Sequence, residues 1–263
     1  MPQFGVVSVE VGQDHVALVE IQTPPHNFFS LSMLGSLADA FESVAADPEA
    51  RCILLATQGK NFCAGASLSA EDPRLTSELP NDDGPKRHIY DEAVRIFAAN
   101  TPVVAAVQGT AAGGGLGLAC AADLRVGGPS TRMTCNFARL GFHQGFGLSI
   151  TLPAIVGQQA ALDLMYTGRR FKGDEAAKLG LLDRFVDDDQ IRAEAHAWAA
   201  DIAGSAPLAV ESIRTTMRGH LPDAIREATN RERVEQERLR ETDDWKEGVA
   251  AMAERRTPNF KRR

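Results

Sequence analysis

The stretch PVVAAVQGTAAGGGLGLACAADLRV, residues 102–126, joins two apolar runs through a string of glycines. VVAAVQG is typical of a buried strand, Thr110–Ala112 of a turn, and Gly113–Ala122 of an apolar helix. Glycines at a strand-to-helix junction leave backbone N–H groups unshielded, at the positive end of the helix dipole. The glycine-rich part of this stretch, residues 111–120, has no polar side chain. We therefore expect it to act through its backbone, as one half of a site that stabilises negative charge on oxygen.

A second turn offers the other half of such a site. CILLATQG (52–59) is a short apolar strand, and NFCAGASL (61–68) follows it with the small residues Ala64, Gly65 and Ala66. Two strand-end turns, each presenting a backbone donor, match what enolate stabilisation requires. Either turn taken alone is also compatible with a purely structural role.

Nucleotide phosphate binding is a weaker interpretation of the glycines. A dinucleotide fold calls for G-x-G-x-x-G after its first strand, and Gly115 and Gly117 supply only the first pair, with Cys120 in the third position. The sequence also lacks G-x-x-x-x-G-K-[ST]. We therefore expect no nucleotide-phosphate site here.

The flanking sequence predicts an α/β fold with a parallel sheet. Segments 4–11 and 15–21 alternate like a hairpin, and Ser30–Ala46 has helical spacing with Ser30 as its cap. Further short strands are predicted at 122–128 and 133–141, so that a strand–strand–helix rhythm recurs. Residues 67–90 are polar and predict a long loop that leads into a helix.

The pattern changes after about residue 157, where amphipathic helices follow one another with a brief strand at 181–186. This change predicts a core over residues 1–195 and a helical region over residues 196–263. The Ala-rich helical faces suit either capping of the core or contact between subunits.

Composition limits the partners and the compartment. The net charge of −7 disfavours nucleic acid, and no apolar run reaches the length of a membrane span. The four cysteines lack C-x-x-C spacing and indicate buried, reduced thiols rather than a metal site. We expect a cytoplasmic protein without a metal ion.

The motifs together resemble the crotonase (enoyl-CoA hydratase/isomerase) superfamily. The resemblance rests on GKNFCAGASL (59–68), on residues 102–126 and on LPAIVGQQAALDLMYTGRRFKGDEAAKLGLLDRFV (152–186). It implies a crotonase-like spiral of ββα units, a C-terminal helical trimerisation region that also covers the coenzyme A pocket, and a homotrimer or a dimer of trimers. It also implies acyl-CoA thioester substrates with no cofactor beyond the coenzyme A they carry.

The same resemblance assigns the site. The thioester oxygen would accept N–H bonds from Ala66 and Gly114, which form the oxyanion hole. The two glutamates of hydratases fall on Gly117 and Phe137, neither of which transfers a proton. The aspartate of dehalogenase-like members falls on Gly145. Ordinary hydration is therefore not expected.

Polar residues near this region remain candidates for acid–base chemistry or binding. His143 and Gln144 are the candidate acid–base or polar groups, with a packed structural histidine as the alternative for His143; His88 is a weaker candidate. The expected substrate contacts are Ala64, Ser67, Leu68, Asn136, Phe137 and, at adenine and phosphates, Phe260 and Lys261. A frayed basic terminus is the alternative for Phe260 and Lys261.

Two functions remain open at this point. One is a lyase, isomerase or hydrolase that acts on acyl-CoA through an oxyanion hole. The other is a catalytically silent relative that retains the acyl-CoA pocket, which the residues at positions 117 and 137 favour.

Overall fold

Two β-sheets organise the chain in the computed structural model, which describes residues 2–66 and 88–263. The larger sheet has seven strands in the order β1(Gln3–Phe4), β2(Val7–Val11), β3(Val16–Ile21), β4(Cys52–Thr57), β5(Val103–Val107), β7(Leu124–Gly127) and β10(Arg184–Phe185). The smaller sheet has three, in the order β6(Thr110–Ala112), β8(Arg132–Thr134) and β9(Arg170–Lys172).

The larger sheet is mostly parallel. Strands β1, β2 and β3 pair antiparallel, whereas β3, β4, β5, β7 and β10 pair parallel in that order. Every residue of β4 and of β5 is buried, as expected for parallel strands covered on both faces. The predicted hairpin and the predicted strands at 52–59 and 102–109 are therefore confirmed.

The helices cover both faces of this sheet and extend into a C-terminal helical region. Their bounds are α1(Leu31–Ala45), α2(Ile89–Ala98), α3(Gly114–Ala121), α4(Leu148–Val156), α5(Gln158–Thr167), α6(Gly173–Lys178), α7(Ile191–Ala203), α8(Pro207–Arg218), α9(Leu221–Arg240) and α10(Asp243–Ala253). Ser30 caps α1 as predicted, because its hydroxyl accepts a hydrogen bond from the Met33 N–H at 3.0 Å. The predicted α/β crotonase-like fold is confirmed.

One helix of the C-terminal part packs on the sheet itself. Ala195 and Ala199 of α7 are fully buried against Leu54 and Val104 of the central strands. Residue 195 thus lies inside α7, and the division of the chain at this residue remains a prediction.

Two local predictions are corrected. Thr110–Ala112 forms strand β6 rather than a turn, and the predicted strand at 133–141 ends at Thr134. Its partners in the small sheet are only three residues long, so the ladder stops there. The chain then winds into a 3-10 helix over Asn136–Leu140, which Gly141 ends in the left-handed region at φ 67°.

Candidate active site

The two small-residue turns lie side by side. The Cys63 N–H donates to the Thr110 carbonyl at 2.9 Å, and the Ala112 N–H donates to the Cys63 carbonyl at 3.0 Å. Phe29 pairs in the same way with Ala66 on the far side of the first turn. These backbone bonds tie the segment that follows β4 to β6, the strand that follows β5.

The glycine run permits this close approach. Gly113 has φ +53°, a conformation that favours glycine, and its N–H donates to the Thr134 carbonyl at 2.9 Å. A Cβ on Gly115 would lie 2.8 Å from the Cys63 carbonyl carbon and closer still to its oxygen. Any larger residue at position 115 would therefore push the two turns apart.

Ala66 and Gly114 come to the same cavity wall. Gly114 is the first residue of α3, so its N–H has no partner inside the helix. A Cβ on Gly65 would lie 3.7 Å from the Gly114 nitrogen, which shows how close the two turns are. Neither N–H donates to an acceptor among the described residues, whereas the neighbouring Ala64 N–H donates to the His26 carbonyl at 2.9 Å. Ala64 also lines the cavity.

The cavity has a volume of about 250 Å³ and is lined by several parts of the chain. Most of its lining is apolar and aromatic, and it draws on the two turns, on α2, on the segment 136–146 and on the last two helices. The described lining residues are Phe28, Phe29, Ala64, Gly65, Ala66, Ile89, Tyr90, Ala112, Gly113, Gly114, Asn136, Phe137, Leu140, Phe142, Gly145, Phe146, Gln236, Arg240, Trp245 and Met252.

Asn136 and Phe137 face this cavity from the 3-10 helix rather than from a strand. A Cβ on Gly113 would lie 3.5 Å from both the Asn136 Oδ1 and the Phe137 Cζ atoms. The amide and the ring are therefore next to the second turn. Both side chains lie where a group held by the turns would meet them.

The space beside Gly117 is filled rather than open. A Cβ there would lie 2.8 Å from the Phe146 Cβ and 2.9 Å from its Cδ1. Phe146 is 1% exposed and packs against Phe29 with the ring centroids 5.1 Å apart. Glycine at position 117 therefore leaves no void, because an aromatic side chain from another segment occupies the space.

The side chains of His143 and Gln144 are not brought to the cavity. The His143 Nδ1 lies 2.8 Å from the Gln144 carbonyl oxygen, and the Gln144 amide donates to the Ser149 hydroxyl at 3.1 Å. Their backbone carbonyls instead accept from the amide of Gln236, a lining residue, at 2.9 and 3.3 Å.

Sequence reasoning missed the pair of Tyr90 and Gln236. The Tyr90 hydroxyl donates to the Gln236 Oε1 at 2.7 Å across 146 residues of sequence. Burial raises the pKa of Tyr90 well above its usual value, so the phenol stays protonated. Tyr90 lies three residues before Ala93 and seven before Phe97, and this helical spacing was the available signal for its burial. Nothing local points to Gln236.

Glycine at position 145 makes room for that pair. A Cβ there would collide with the Tyr90 hydroxyl and would lie 2.7 Å from the Gln236 Nε2. The phenol thus takes the space beside Gly145.

A buried carboxylate attaches α9 to this wall. Glu232 is fully buried and accepts from the Gly147 N–H at 2.9 Å and the Ser149 hydroxyl at 2.7 Å. It caps α4, whose N-cap residue Gly147 has no side chain to do so. The rotation of α9 that brings Gln236 and Arg240 to the cavity is held in this way.

His88 lies at the start of α2 and does not line the cavity. Its Nδ1 accepts from the Tyr90 N–H at 3.1 Å, and the Asp91 carboxylate accepts from the His88 N–H at 2.8 Å. Burial of the ring, followed by the nearby charge of Arg233, lowers the pKa of His88 to about 4. The ring is therefore an uncharged helix cap at neutral pH.

Four of the predicted substrate contacts are not found in the cavity wall, for two different reasons. Ser67 and Leu68 lie outside the described residues. Phe260 and Lys261 do not line the cavity, and Phe260 is 39% exposed. The terminal segment is nevertheless attached to α10, because the Lys261 N–H donates to the Asp244 carboxylate at 2.6 Å.

The described residues contain no group of three His, Cys, Asp or Glu side chains placed to hold a metal ion. Cys63 is fully buried beside the first turn, and burial raises the pKa of its thiol to about 12, so it is not a thiolate nucleophile. Within residues 2–66 and 88–263, no helix is long and apolar enough to cross a membrane.

Comparison with known proteins agrees with this architecture. The sequence profile of the enoyl-CoA hydratase/isomerase family matches residues 12–263. Enoyl-CoA hydratase EchA19 of Mycobacterium tuberculosis is 31% identical over 268 residues, which cover 98% of this chain and all of that protein. The crystal structure of an enoyl-CoA hydratase/isomerase from Pseudoalteromonas atlantica superposes with a TM-score of 0.86 at 29% identity, over 97% of this chain and all of the other. An enoyl-CoA hydratase structure from Mycobacterium avium gives 0.82 at 27% identity, over 98% and 99%. The chain therefore belongs to the enoyl-CoA hydratase/isomerase family.

Proposed function

We propose that this protein binds an acyl-CoA thioester and stabilises negative charge on its carbonyl oxygen through the backbone N–H groups of Ala66 and Gly114. The observation that carries the proposal is the meeting of these two donors on one cavity wall, without acceptors among the described residues. Donors fixed by the fold need no reorganisation when charge develops, which is why such sites are effective. The N-terminus of α3 adds its dipole at Gly114.

The reaction we propose is one in which an enolate or a tetrahedral oxyanion forms, as in a lyase, isomerase or hydrolase. Each backbone donor of this kind contributes about 2.7–4 kcal/mol to transition-state stabilisation. The apolar lining supports the proposal, because excluding water strengthens both hydrogen bonds to the oxyanion.

Ordinary hydration of an enoyl-CoA is not the activity we propose. Addition of water needs an acid and a base within hydrogen-bond reach of the double bond. The two positions that the family resemblance assigns to the hydratase glutamates hold Phe137, on the cavity wall, and Gly117, under the Phe146 ring. None of the described lining residues is an Asp, Glu or His.

A catalytically silent acyl-CoA-binding protein is the second candidate. The same shortage of titratable lining residues supports it, since a pocket without an acid or base can still hold a thioester. Assays of a panel of CoA thioesters for loss of absorbance at the enoyl band, and for release of free thiol, separate the two. Binding without turnover of any member favours the silent protein.

Replacing Ala66 by proline tests the oxyanion hole, because proline has no N–H to donate. We expect Ala66→Pro to lose thioester affinity and about 2.7–4 kcal/mol of transition-state stabilisation in any turnover found. Ala66→Gly is the matched control, since it keeps the N–H. A folded Ala66→Pro protein that binds and reacts like the Ala66→Gly protein would place the site elsewhere.

The proposal also covers the oligomeric state of the protein and its cellular compartment. We propose a homotrimer, or a dimer of trimers, in the cytoplasm, with contacts through the C-terminal helices. Helix α8 supports this, because Leu208, Ile213 and Met217 on it are 63–79% exposed. The four cysteines are free and buried, which suits a reducing compartment. A monomer of 28.3 kDa in light scattering would contradict the assembly.

A further inference from the structure

The cavity concentrates aromatic side chains to an unusual degree. Seven of its twenty described lining residues are Phe, Tyr or Trp, although these types make up 6% of the chain. An alkyl chain gains nothing specific from ring faces, whereas a ring gains from tilted or offset packing against another ring. The composition of this wall therefore favours a planar acyl group over an extended one.

The rings are also held in fixed orientations. Phe29 and Phe146 pack at 5.1 Å between centroids, and Phe142 and Trp245 at 4.4 Å with an angle of 34°. The Arg240 guanidinium lies 5.4 Å from the centroid of Phe142 and supports that ring. These pairs come from both ends of the chain, so the cavity presents ring faces from more than one side.

Phe137 places a ring directly beside the oxyanion donors. Its Cζ lies 3.5 Å from the point where a Cβ of Gly113 would stand, one residue before the Gly114 donor. The first atoms of an acyl group beyond the thioester carbon would therefore meet this ring. A ring attached directly or through one or two atoms to that carbon is placed to pack on it.

The polar side chains of the wall are those of Asn136 and Arg240 and the pair of Tyr90 and Gln236, and this pair accepts hydrogen bonds. The Tyr90 hydroxyl gives its proton to the Gln236 Oε1. The Gln236 amide gives its hydrogens to the carbonyls of His143 and Gln144, which also fixes which end of the amide faces Tyr90. The Tyr90 oxygen also accepts from the Phe146 backbone N–H. Both side chains line the cavity, and what they have left to offer a ligand is one lone pair on each oxygen.

We propose that the acyl group of the substrate contains an aromatic ring that bears a hydroxyl group, and that this hydroxyl donates to the Tyr90–Gln236 pair. This assignment rests on the proposed function, since it takes the thioester carbonyl to be held by Ala66 and Gly114. A ring substituent that can only accept, such as a methoxy group, finds no donor in the pair. A carboxylate would face the lone pairs of two oxygens.

A series of CoA thioesters tests the assignment on the unmodified protein, with affinities measured by isothermal titration calorimetry. The series comprises hydroxybenzoyl-CoA as meta and para isomers, the matching methoxybenzoyl-CoA, carboxybenzoyl-CoA, benzoyl-CoA, cyclohexanecarbonyl-CoA and hexanoyl-CoA. We expect benzoyl-CoA to bind about threefold to tenfold more tightly than cyclohexanecarbonyl-CoA. We expect one hydroxybenzoyl isomer to bind about tenfold more tightly than its methoxy counterpart.

Replacing Tyr90 by phenylalanine separates the pair from the rest of the wall. Tyr90→Phe should remove the preference for hydroxyl over methoxy, measured as the ratio of the two affinities within the variant, so that any change in overall affinity cancels. The chain's other tyrosine, Tyr166, is 74% exposed, so Tyr166→Phe is the matched control and should keep the ratio of the native protein.

Several outcomes overturn the assignment while the proposed function stands. Equal affinity for cyclohexanecarbonyl-CoA, hexanoyl-CoA and benzoyl-CoA would contradict the proposal that the acyl group is aromatic. A preference for carboxybenzoyl-CoA would show that Arg240 selects the acyl group instead. If the Tyr90→Phe protein still prefers the hydroxybenzoyl over the methoxybenzoyl thioester, the Tyr90–Gln236 pair does not bind the hydroxyl group. If the protein binds none of the thioesters in the series, the proposed function itself is contradicted.

Discussion

Replacing Gly115 by alanine is the sharpest test of how the two turns make a site, because it adds one methyl group between them. The new Cβ would lie 2.8 Å from the Cys63 carbonyl carbon, whereas ordinary contact begins at 3.4 Å. The carbonyl must therefore withdraw by roughly 0.6 Å or more, and its hydrogen bond from the Ala112 N–H, now 3.0 Å, must lengthen. Overpacking of this kind costs about 1–3 kcal/mol of folding free energy.

The effect on the oxyanion hole should exceed the effect on stability. The donors of Ala66 and Gly114 belong to the two turns that would separate, and a displacement of about 1 Å in a positioned group lowers rates by about 100-fold. The assay is the infrared stretch of a bound thioester carbonyl, identified by ¹³C labelling, together with turnover of whichever thioester proves reactive. We expect a smaller lowering of the stretching frequency in Gly115→Ala than in the native protein.

A matched control is Gly35→Ala, since Gly35 lies within α1 and, among the described residues, a Cβ there would meet only the Glu92 Cδ at 3.9 Å. Thermal and urea unfolding of both variants give the stability side of the comparison. A folded Gly115→Ala protein with an unchanged carbonyl frequency and unchanged turnover would refute the view that contact between the turns positions the donors.

Three further changes have outcomes that follow from the same contacts. The double variant Phe137→Glu, Gly117→Glu should not hydrate crotonyl-CoA, and it should lower the free energy of unfolding by about 1–3 kcal/mol. The reason for both is that a glutamate at position 117 collides with Phe146. Hydration, followed as loss of absorbance at the enoyl band, would show that Phe146 moves aside. The pKa of His88 is lowered to about 4 from 6.5, so the stability contributed by its uncharged ring is complete above about pH 6.5 and is lost as the pH falls towards 4. Urea unfolding of His88→Asn should accordingly depend less on pH in that range than the native protein does, and equal slopes would count against this cap. Deleting residues 258–263 removes Phe260 and the cations Lys261, Arg262 and Arg263. It should weaken coenzyme A binding by less than tenfold and reduce its salt dependence, since a contact with an exposed cation such as Lys261 is worth little. If titrations at low and high salt match the full chain, the terminal segment does not contact coenzyme A.

Local patterns were sufficient to predict most of the fold. The alternation in β2 and β3, the Ser30 cap of α1 and the apolar run of β5 each depend on neighbours within a few residues. Prediction went wrong where a distant partner sets the length of an element. The run at 133–141 is apolar enough for a strand, but it stops at Thr134 because β6 and β9 are only three residues long.

The candidate site likewise combines local features that the sequence predicted with distant contacts that it did not. The sequence pattern predicted one site made from two strand-end turns, each presenting a backbone donor, and the family resemblance assigned these donors to Ala66 and Gly114. It did not predict that Phe146 would cover Gly117 or that Tyr90 would reach Gln236. Gly117 and Phe146 are separated by 29 positions in the chain, and Tyr90 and Gln236 by 146 positions. No spacing rule connects the members of either pair.

The cavity wall is shared between distant parts of the chain, and this division has a consequence for how members of such a lineage diverge. The groups that would grip a thioester oxygen belong to the backbone of segments 63–66 and 110–115, where few side chains are tolerated. The groups that would choose among acyl chains include side chains of α9 and α10, such as Gln236, Trp245 and Met252. If the proposed function holds, the groups that polarise the thioester and a large part of those that select the acyl chain are encoded in separate stretches of the gene. Transplanting the last two helices from a relative should change which thioester is accepted and leave the machinery that polarises its carbonyl intact.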